Sequence, residues 1–343
     1  MNYRLFGTKT GLWVSELALG TAMFGTASGY GAEPAEARRI WDGYVAAGGN
    51  FIDTSDAYQA GEAERLIGQF LAGNRGDFVL ASKYTRGPAA APALAQVGNH
   101  RKAMKQAVEA SLQRLNTDYL DLYLAHLPDG VTPVEEIARG FEDLVRAGKI
   151  LYGGLSNFPA WRVATAATLA ELRGWAPLVG IQVEYSLVAR TAERELLPMA
   201  EGLGLGVMGY SPLGGGLLTG KYRQGETGRV TLMGGSSAPA AHTDPVLDAL
   251  LAVAQELGAT PGQVATAWAK VQGVVPIIGA RTYPQLAEQL GAANLLLSAE
   301  QVQRLGAVSA VPLGYPHELL AAQRGTLTGN RATQVAWPPR TVA

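Results

Sequence analysis

The sequence predicts an α/β protein that folds as a single (β/α)8 barrel, the TIM barrel. Eight short apolar segments alternate along the chain with longer segments whose apolar residues recur at helical spacing, and this alternation is typical of parallel strands joined by helices. No change in composition divides the 343 residues, and such a barrel needs ~250 residues. We therefore assign residues 1–320 to one barrel and residues 321–343 to a C-terminal tail.

The predicted strands are mostly continuous apolar segments, without strict alternation of polar and apolar residues. Parallel strands that are covered on both faces have this pattern, so we expect these strands to be buried. In chain order they are Glu16–Leu19, Asn50–Asp53, Phe78–Lys83, Leu120–Ala125, Ile150–Leu155, Val179–Glu184, Gly204–Tyr210 and Val274–Ile278.

Two of the predicted helices have complete start signals. Thr132-Pro133-Val134-Glu135 and Thr260-Pro261-Gly262-Gln263 each combine a capping threonine, a proline at the first helical position and a capping-box partner. Helical spacing predicts the others. The predicted helices are Pro34–Ala47, Gly61–Leu71, Gly98–Leu115, Pro133–Ala147, Pro159–Arg173, Glu193–Glu201, Pro245–Leu257, Pro261–Val271, Tyr283–Ala292 and Ala299–Ser309.

Two connections are longer than the ~2–6 residues that usually follow a strand in such folds. Thr85–Val97 follows the third predicted strand and Tyr222–Asp244 follows the seventh. Both leave the carboxyl ends of strands, where barrel enzymes carry their sites, so we predict lids; surface loops without a function are the alternative. With Phe24–Gly31 they are the expected determinants of specificity. Core or surface packing is the alternative role for the candidate apolar walls of the pocket, which are Trp13, Met23, Phe24, Tyr30 and Phe158.

Composition and charge exclude several classes of function. Twenty-eight Lys and Arg balance 29 Asp and Glu, and the net charge of -1 provides no basic field for nucleic acid. The chain has no cysteine, which excludes disulfides, thiolate nucleophiles and Cys-ligated metals. The sequence shows neither a secretion signal nor a membrane span. We therefore expect a cytoplasmic protein without nucleic-acid or membrane partners, and the sequence leaves its oligomeric state open.

Four chemically active side chains follow three successive predicted strands. Asp53 ends the second strand and Tyr58 follows it, Lys83 ends the third, and His126 follows the fourth. Because the carboxyl ends of barrel strands meet at one mouth, we expect the four to lie close together. A Lys83 ammonium paired with Asp53 would lower the pKa of Tyr58 from ~10 and make it a usable general acid. A purely structural ion pair between Asp53 and Lys83 is the alternative.

His126 adds a hydrogen-bond donor to this group. An imidazole at the barrel mouth can donate to a substrate oxygen on which negative charge develops, and a structural loop histidine is the alternative. No second His or carboxylate lies at metal-ligand spacing from it. We therefore predict no metal site.

The later strands supply groups suited to a dinucleotide. Ser156 and Asn157 end the fifth strand, Gln182 lies on the sixth, and Tyr210 precedes a glycine-rich turn after the seventh. Small polar side chains can orient a carboxamide, an aromatic ring can stack on a planar heterocycle, and a glycine-rich turn can offer backbone N–H groups to a pyrophosphate.

A cation follows the eighth strand, at the phosphate-binding corner of such barrels. It is Arg281, which precedes a predicted helix. After the first strand, Leu19-Gly20-Thr21-Ala22-Met23 stands where a Rossmann unit would have G-x-G-x-x-G. A dinucleotide would therefore be bound by the barrel loops.

These motifs resemble those of the aldo-keto reductase superfamily and occur in its order. The resemblance covers about residues 5 to 315. The segments that carry it are Asn50-Phe51-Ile52-Asp53-Thr54-Ser55-Asp56-Ala57-Tyr58, Ala81-Ser82-Lys83, Asp121-Leu122-Tyr123-Leu124-Ala125-His126-Leu127-Pro128-Asp129, Gly154-Leu155-Ser156-Asn157-Phe158, Tyr210-Ser211-Pro212-Leu213 and Ile278-Gly279-Ala280-Arg281.

The resemblance implies reversible reduction of a small aldehyde or ketone by a nicotinamide cofactor that lies across the barrel mouth. Hydride would pass to the carbonyl carbon while Tyr58 protonates the oxygen, with Asp53 holding Lys83 and His126 orienting the carbonyl. Ser156, Asn157 and Gln182 would hold the carboxamide. The further implied cofactor contacts are Gly20, Thr21, Tyr210, Ser211, Leu213, Gly215, Lys221, Gly279, Arg281, Gln285, Glu288 and Gln289.

Two departures from the family pattern lie where the adenosine 2′-phosphate would bind. Gly279-Ala280 stands where many members have Lys-Ser, and Gln285 stands where many have Arg. Arg281 is then the main 2′-phosphate ligand, so NADP(H) is the expected cofactor and NAD(H) stays open. The loop after the seventh strand and Asp56-Ala57-Tyr58 resemble the bacterial, channel-β-like branch.

Two other functions stay open at this point. A subunit that senses the cofactor and binds a partner protein would bind NADP(H) but turn over carbonyls slowly. A class I aldolase would form a Schiff base on Lys83, although it leaves the Tyr210 turn and Arg281 without a role.

Overall fold

The strands form a hairpin followed by a closed barrel. The structure is a computed structural model that describes residues 1–226, 228 and 243–336. The hairpin consists of β1 (Tyr3–Leu5) and β2 (Trp13–Ser15). The barrel strands are β3 (Ala18–Gly20), β4 (Phe51–Asp53), β5 (Val79–Tyr84), β6 (Leu120–Ala125), β7 (Ile150–Ser156), β8 (Leu178–Glu184), β9 (Gly206–Tyr210) and β10 (Val275–Gly279).

All eight barrel strands run parallel. They pair in the order β3 to β10, and β10 pairs with β3 to close the barrel. In register, Asp53 pairs with Ala81, and Lys83 pairs with Leu124. The barrel confirms the predicted (β/α)8 fold, and its register brings the strand ends to one rim.

The first predicted strand is displaced from the observed one. The barrel strand begins at Ala18, whereas Glu16 lies at the end of the hairpin, where its backbone N–H donates to the Asn2 carbonyl at 3.0 Å. Lys270 pairs with the Glu16 carboxylate at 3.3 Å. These contacts hold Glu16 outside the barrel ladder. The shift is two residues at the start and one at the end, and the other seven strands also agree with the prediction to within two residues at each end.

Helices follow the barrel strands and cover the outside of the barrel. All ten predicted helices are present; Pro261–Val271 has the predicted ends, and in the others at least one end is shifted by one to three residues. In the described residues the helices are α1 (Pro34–Ala46), α2 (Glu62–Phe70), α3 (Arg101–Leu115), α4 (Val134–Arg146), α5 (Ala160–Arg173), α6 (Leu196–Gly202), α7 (Thr243–Leu257), α8 (Pro261–Val271), α9 (Tyr283–Leu290), α10 (Ala299–Val308) and α11 (His317–Leu327).

The two predicted start signals behave differently. Thr260 caps α8, and Gln263 completes a capping box with it. At α4 the prediction is wrong, because Pro133 occupies the cap position and the Thr132 hydroxyl donates to Asp129 instead. The Thr132 hydroxyl is therefore bonded to the Asp129 carboxylate and does not form the predicted capping box.

The C-terminal helix α11 is absent from the sequence prediction. It crosses residue 320, where the predicted barrel ends, so secondary structure continues into the predicted tail, which is described as far as residue 336.

Among the described residues, no helix combines the length and the apolar content needed to span a bilayer. Of the predicted loop Tyr222–Asp244, residues 227 and 229–242 lie outside the described residues.

The hairpin closes the amino-terminal end of the barrel. Phe6, which follows β1, is buried and packs its ring edge against Phe51 at the start of β4, with 5.4 Å between ring centroids. Trp13 lies on the same side, where its carbonyl accepts from the Asn50 amide, and it is 59% exposed. The expectation that Trp13 lines the pocket is therefore wrong, because it lies at the end of the barrel opposite the mouth.

We expect Gly206→Ala to destabilise the protein by about 1–3 kcal/mol through overpacking. A Cβ at Gly206 would lie 2.6 Å from the buried Phe6 ring. Gly76→Ala is the control, because nothing lies within 4 Å of its added Cβ. Urea-induced unfolding measures both, and Phe6→Leu added to Gly206→Ala should restore part of the loss. Equal stability of the two alanine variants would contradict this prediction.

Candidate active site

The barrel brings the four predicted catalytic side chains together at the carboxyl ends of β4, β5 and β6. Asp53 is the last residue of β4, and Lys83 lies near the end of β5. His126 follows β6 directly, and its backbone N–H donates to the Tyr84 carbonyl at 3.0 Å. Tyr58 begins a 3-10 turn after β4. The predicted proximity of these residues is confirmed.

The Lys83 ammonium lies at the centre of this group. It is fully buried and donates to Asp53 Oδ2 at 2.9 Å, to the Thr54 carbonyl at 2.7 Å and to the Tyr58 hydroxyl at 3.1 Å. A lysine ammonium has three hydrogens, so each of them has an acceptor. The sequence does not predict the Thr54 contact, because a backbone carbonyl is present whatever the residue type.

The surroundings of Lys83 keep it protonated. Burial opposes the charge, but the negative charge of Asp53 and the contact with Tyr58 outweigh it, so the pKa of Lys83 is raised. A charge taken out of water needs such compensation, because an unpaired buried ion is strongly destabilising. Lys83 is therefore a fixed cation at neutral pH.

Asp53 is held by two further residues. The Gln182 side chain, from β8, donates to Asp53 Oδ1 at 2.8 Å, and the Thr21 hydroxyl donates to the Asp53 carbonyl at 2.9 Å. Both side chains are buried. Gln182 thus orients the carboxylate that pairs with Lys83, and Thr21 holds the backbone that carries it; the resemblance assigns both residues to the cofactor.

His126 is neutral over the physiological pH range. It is 9% exposed, and its ring lies edge to face with Tyr58, with 6.0 Å between ring centroids. Burial, followed by the positive charges of Lys83 and Arg86, lowers the pKa of His126 from 6.5 to about 3. Its Nδ1 lies 3.3 Å from the hydroxyl of Ser55, a contact that the sequence does not predict.

Asn157 links two predicted cofactor-binding residues, Ser156 and Tyr210, to His126. It donates to the His126 carbonyl and to the Ser156 hydroxyl, each at 3.0 Å, and it accepts from the Tyr210 hydroxyl at 2.9 Å. Asn157 has a left-handed φ of 62°, a conformation that asparagine tolerates better than most residues. Ser156, Asn157 and Tyr210 therefore form one connected group beside the four residues.

The turn after β9 brings a cation against its glycines. Gly215 accepts from the Tyr222 hydroxyl at 3.1 Å. The Lys221 ammonium lies 3.2 Å from the position that a Cβ at Gly216 would occupy. Ser211 has a left-handed φ of 55°, and Leu213 lies beside Gly262 at the start of α8. The absence of a side chain at Gly216 thus lets the cation approach the backbone.

Arg281 follows β10 directly after Ala280, and neighbouring side chains hold it in place. The Arg281 backbone N–H donates to Gln285 Oε1 at 2.9 Å, and Gln289 donates to the Gly279 carbonyl at 2.9 Å. The Arg281 guanidinium lies over the Tyr30 ring, 4.4 Å from its centroid. Gly20 pairs in register with Gly279. The Tyr30 contact was not predicted, since the two residues are far apart in the sequence.

Glu288, on α9, contacts the neighbouring helix α8. Its backbone carbonyl accepts from the Gln263 side chain at 2.8 Å, which links α9 to α8. Its carboxylate lies near Gly262. Within the part of the chain that the structure describes, there is no cluster of three or more His, Asp or Glu side chains that could hold a metal ion.

Comparisons with known proteins identify relatives over nearly the whole chain. Residues 16–310 match the model of the Aldo/keto reductase family. The chain is 34% identical to norsolorinic acid reductase of Aspergillus flavus over 330 residues, which covers 93% of this chain and 84% of the relative. It is 33% identical to aryl-alcohol dehydrogenase (NADP(+)) of Phanerodontia chrysosporium over 339 residues, 92% of this chain and 88% of the relative. It is 36% identical to the oxidoreductase YrpG of Bacillus subtilis over 332 residues, 94% of this chain and all of the relative.

The low pKa of His126 predicts a pH-dependent effect on stability. Between pH 6.5 and about 3 the unfolded chain binds a proton at His126 that the folded protein does not, so the contribution of His126 to the unfolding free energy falls as the pH falls. His126→Gln lacks this loss. We expect the unfolding free energy of wild type relative to His126→Gln to drop by about 2 kcal/mol between pH 8 and pH 5. Urea-induced unfolding at both pH values measures it, and a pH-independent difference would show the assignment to be wrong.

Proposed function

Because the chain belongs to the aldo/keto reductase family, we propose that it reduces aldehydes or ketones to alcohols with NADP(H), with Tyr58 as the general acid. Membership of the family makes it an oxidoreductase that acts on small carbonyl compounds. The proposal that Tyr58 is the general acid rests on the 3.1 Å hydrogen bond from Lys83 to the Tyr58 hydroxyl. Lys83 also donates to the Asp53 carboxylate at 2.9 Å.

Tyr58 gives its proton to the carbonyl oxygen in this proposal. Lys83 is protonated and donates to the Tyr58 oxygen, so it stabilises the negative charge that develops as the phenol loses its proton. Asp53 keeps the ammonium charged and oriented. Gln182, by holding the second oxygen of Asp53, fixes that orientation.

His126 orients the substrate carbonyl. A neutral imidazole can donate one hydrogen bond without adding a positive charge beside Lys83, and His126 is neutral because its pKa is about 3. Its ring stands edge to face with that of Tyr58. We therefore place the carbonyl oxygen between the Tyr58 hydroxyl and the His126 ring.

The residues around the mouth fit a nicotinamide dinucleotide, which supplies the hydride for the carbonyl carbon when it is bound. Lys221 against the glycines after β9 is suited to a pyrophosphate, and Asn157 fixes the ring of Tyr210 for stacking. We assign the carboxamide to Ser156, Asn157 and Gln182. The other proposed contacts are Gly20, Thr21, Ser211, Leu213, Gly215, Gly279, Arg281, Gln285, Glu288 and Gln289.

The choice of NADP(H) rests on Arg281. Its guanidinium is held over the Tyr30 ring, and its backbone is held by Gln285, so a planar cation suited to a phosphate is fixed at the strand end. The name of the Phanerodontia chrysosporium relative also specifies NADP(+). NAD(H) is the competing cofactor, because Gln285 is neutral.

The alternative functions receive no support. An aldolase needs a neutral lysine amine as its nucleophile, whereas Lys83 has a raised pKa and uses its three hydrogens in hydrogen bonds. The relatives described above are named as a reductase, a dehydrogenase and an oxidoreductase. These names favour neither a partner-binding subunit nor the channel-β-like branch.

We expect Tyr58→Phe to lower the kcat for carbonyl reduction at least ~100-fold, because it removes the general acid. The affinity for NADPH should stay near that of wild type. Steady-state rates with a panel of aldehydes and ketones, including aryl aldehydes, and fluorescence titration with NADPH measure the two effects. Tyr315→Phe is the matched control, since Tyr315 is 76% exposed. A Tyr58→Phe enzyme that kept most of its activity would rule out the acid role.

We expect Arg281→Gln to weaken NADPH binding about 10–100-fold, the value of one or two charge-assisted hydrogen bonds. NADH binding should change little, because NADH lacks the 2′-phosphate. Arg281→Lys keeps the charge and should lie between the two. Titration of the three proteins with NADPH and NADH tests this, and an equal loss for both cofactors would contradict the 2′-phosphate role.

A further inference from the structure

A chain of buried hydrogen bonds connects Asp56 to His126. The Ser55 hydroxyl is 3.1 Å from Asp56 Oδ1 and 3.3 Å from His126 Nδ1. It also accepts from the backbone N–H of Ala57 at 3.3 Å. Ser55 and Asp56 are essentially inaccessible to solvent. The contacts therefore join a carboxyl group to the imidazole that faces Tyr58.

The Ser55 hydroxyl has one hydrogen, so it can donate to Asp56 or to His126 but not to both. When it donates to an ionised Asp56, it accepts from His126 Nδ1–H. Neutral His126 then carries its only hydrogen on Nδ1, and Nε2 is an acceptor. When a protonated Asp56 donates to Ser55, Ser55 donates to Nδ1, and His126 carries its hydrogen on Nε2.

We propose that Asp56 is a positioning residue that selects the tautomer of His126 through Ser55, and that its protonated form makes His126 Nε2 a donor to the substrate carbonyl. This inference rests on the proposed function for the role of the carbonyl. The link between Asp56 and the tautomer of His126 stands on the hydrogen bonds alone. The charge on Asp56 thereby determines whether His126 can act as a donor.

The surroundings of Asp56 allow it to hold a proton near neutral pH. The charged or titratable groups that face it are Glu64 from α2, Arg114 from α3 and Tyr123 from β6. Arg114 Nε is bonded to Glu64 Oε2 at 2.7 Å, and Glu64 Oε1 accepts from Ser82. The cation that acts on Asp56, Arg114, is thus already paired with another carboxylate.

One oxygen of Asp56 receives no compensation for its burial. Within residues 1–226, 228 and 243–336, Asp56 Oδ2 has no hydrogen-bond partner, and neither has the buried hydroxyl of Tyr123. Burial, followed by the negative charge of Glu64, raises the pKa of Asp56 to about 7, although Ser55 and Arg114 act in the opposite direction. Asp56 therefore changes its charge near pH 7 while His126 stays neutral.

The expected pH dependence follows from these two groups. Below pH 7 Asp56 is protonated and His126 donates from Nε2, so reduction is favoured. Above pH 7 Asp56 loses its proton, His126 moves its hydrogen to Nδ1, and the donor to the carbonyl is lost. One pH unit above the pKa, about one tenth of the protein keeps the donating tautomer.

Nitrogen NMR of the full-length protein labelled with 15N-histidine tests the link without any substrate, because the two neutral tautomers have different nitrogen shifts. The chain has four histidines, and His126→Gln assigns the signals of His126. We expect wild type to change from the Nε2–H to the Nδ1–H tautomer between pH 6 and pH 8. Ser55→Ala and Asp56→Asn should show no such change, since one removes the link and the other removes the titrating group.

Glu64→Gln provides a matched charge variant. It leaves Ser55 and Asp56 in place but removes the negative charge that raises the pKa of Asp56, so the change of tautomer should move to lower pH rather than vanish. A tautomer of His126 that is the same at pH 6 and pH 8 in wild type, or that changes equally in Asp56→Asn, overturns the inference. Urea-induced unfolding confirms that each variant is folded.

Reduction rates separate this inference from the proposed function. We expect kcat/KM of wild type at saturating NADPH to fall about tenfold more between pH 6 and pH 8 than kcat/KM of Asp56→Asn. Carbonyl reduction with an unchanging tautomer would overturn the inference and leave the function intact. A tautomer that changes as expected in a protein that reduces no carbonyl would remove the proposed function and retain the Asp56–His126 link.

Discussion

The burial of the Lys83 ammonium is the constraint on which the candidate site depends. A fully buried charge costs several kcal/mol unless its hydrogens are all accepted and an opposite charge lies nearby. Lys83 meets this requirement with Asp53 on β4, the Thr54 carbonyl just after it and Tyr58 in the following turn. The end of β4, the turn after it and the end of β5 are therefore fixed relative to one another by one charge.

The same requirement extends across the barrel. Once one oxygen of Asp53 is used by Lys83, the other is held by Gln182 from β8, the strand that lies opposite β4 in the closed order. The hairpin fills the amino-terminal end, where the missing side chains of Gly180 and Gly206 make room for the Phe6 ring. Apolar packing thus closes one end of the barrel, while hydrogen bonds between charged and polar groups organise the other.

Uncommon backbone conformations are concentrated next to these groups. Gln59 and Ala60, directly after Tyr58, have positive φ values of 48° and 52°, and Asn157 and Ser211 have values of 62° and 55°. Such conformations cost free energy and persist only where the surrounding contacts determine them. At Gln59 the side chain accepts from the Ser28 backbone and donates to the Tyr30 carbonyl, so the strained turn also holds the loop that carries Tyr30 against Arg281.

The sequence by itself determined the barrel, the position of each of its strands to within a few residues, and the group formed by Asp53, Tyr58, Lys83 and His126, because apolar periodicity and strand-end position are local properties of the chain. It did not determine helix α11 or the failure of the Thr132 cap, where a neighbouring carboxylate competes for the hydroxyl. Only the tertiary structure decided that Gln182 supports Asp53 and that Ser55 joins Asp56 to His126. The first contact depends on which strands lie opposite each other in the barrel, and the second on how completely the side chains are shielded from water. Neither property can be inferred from a short stretch of residues.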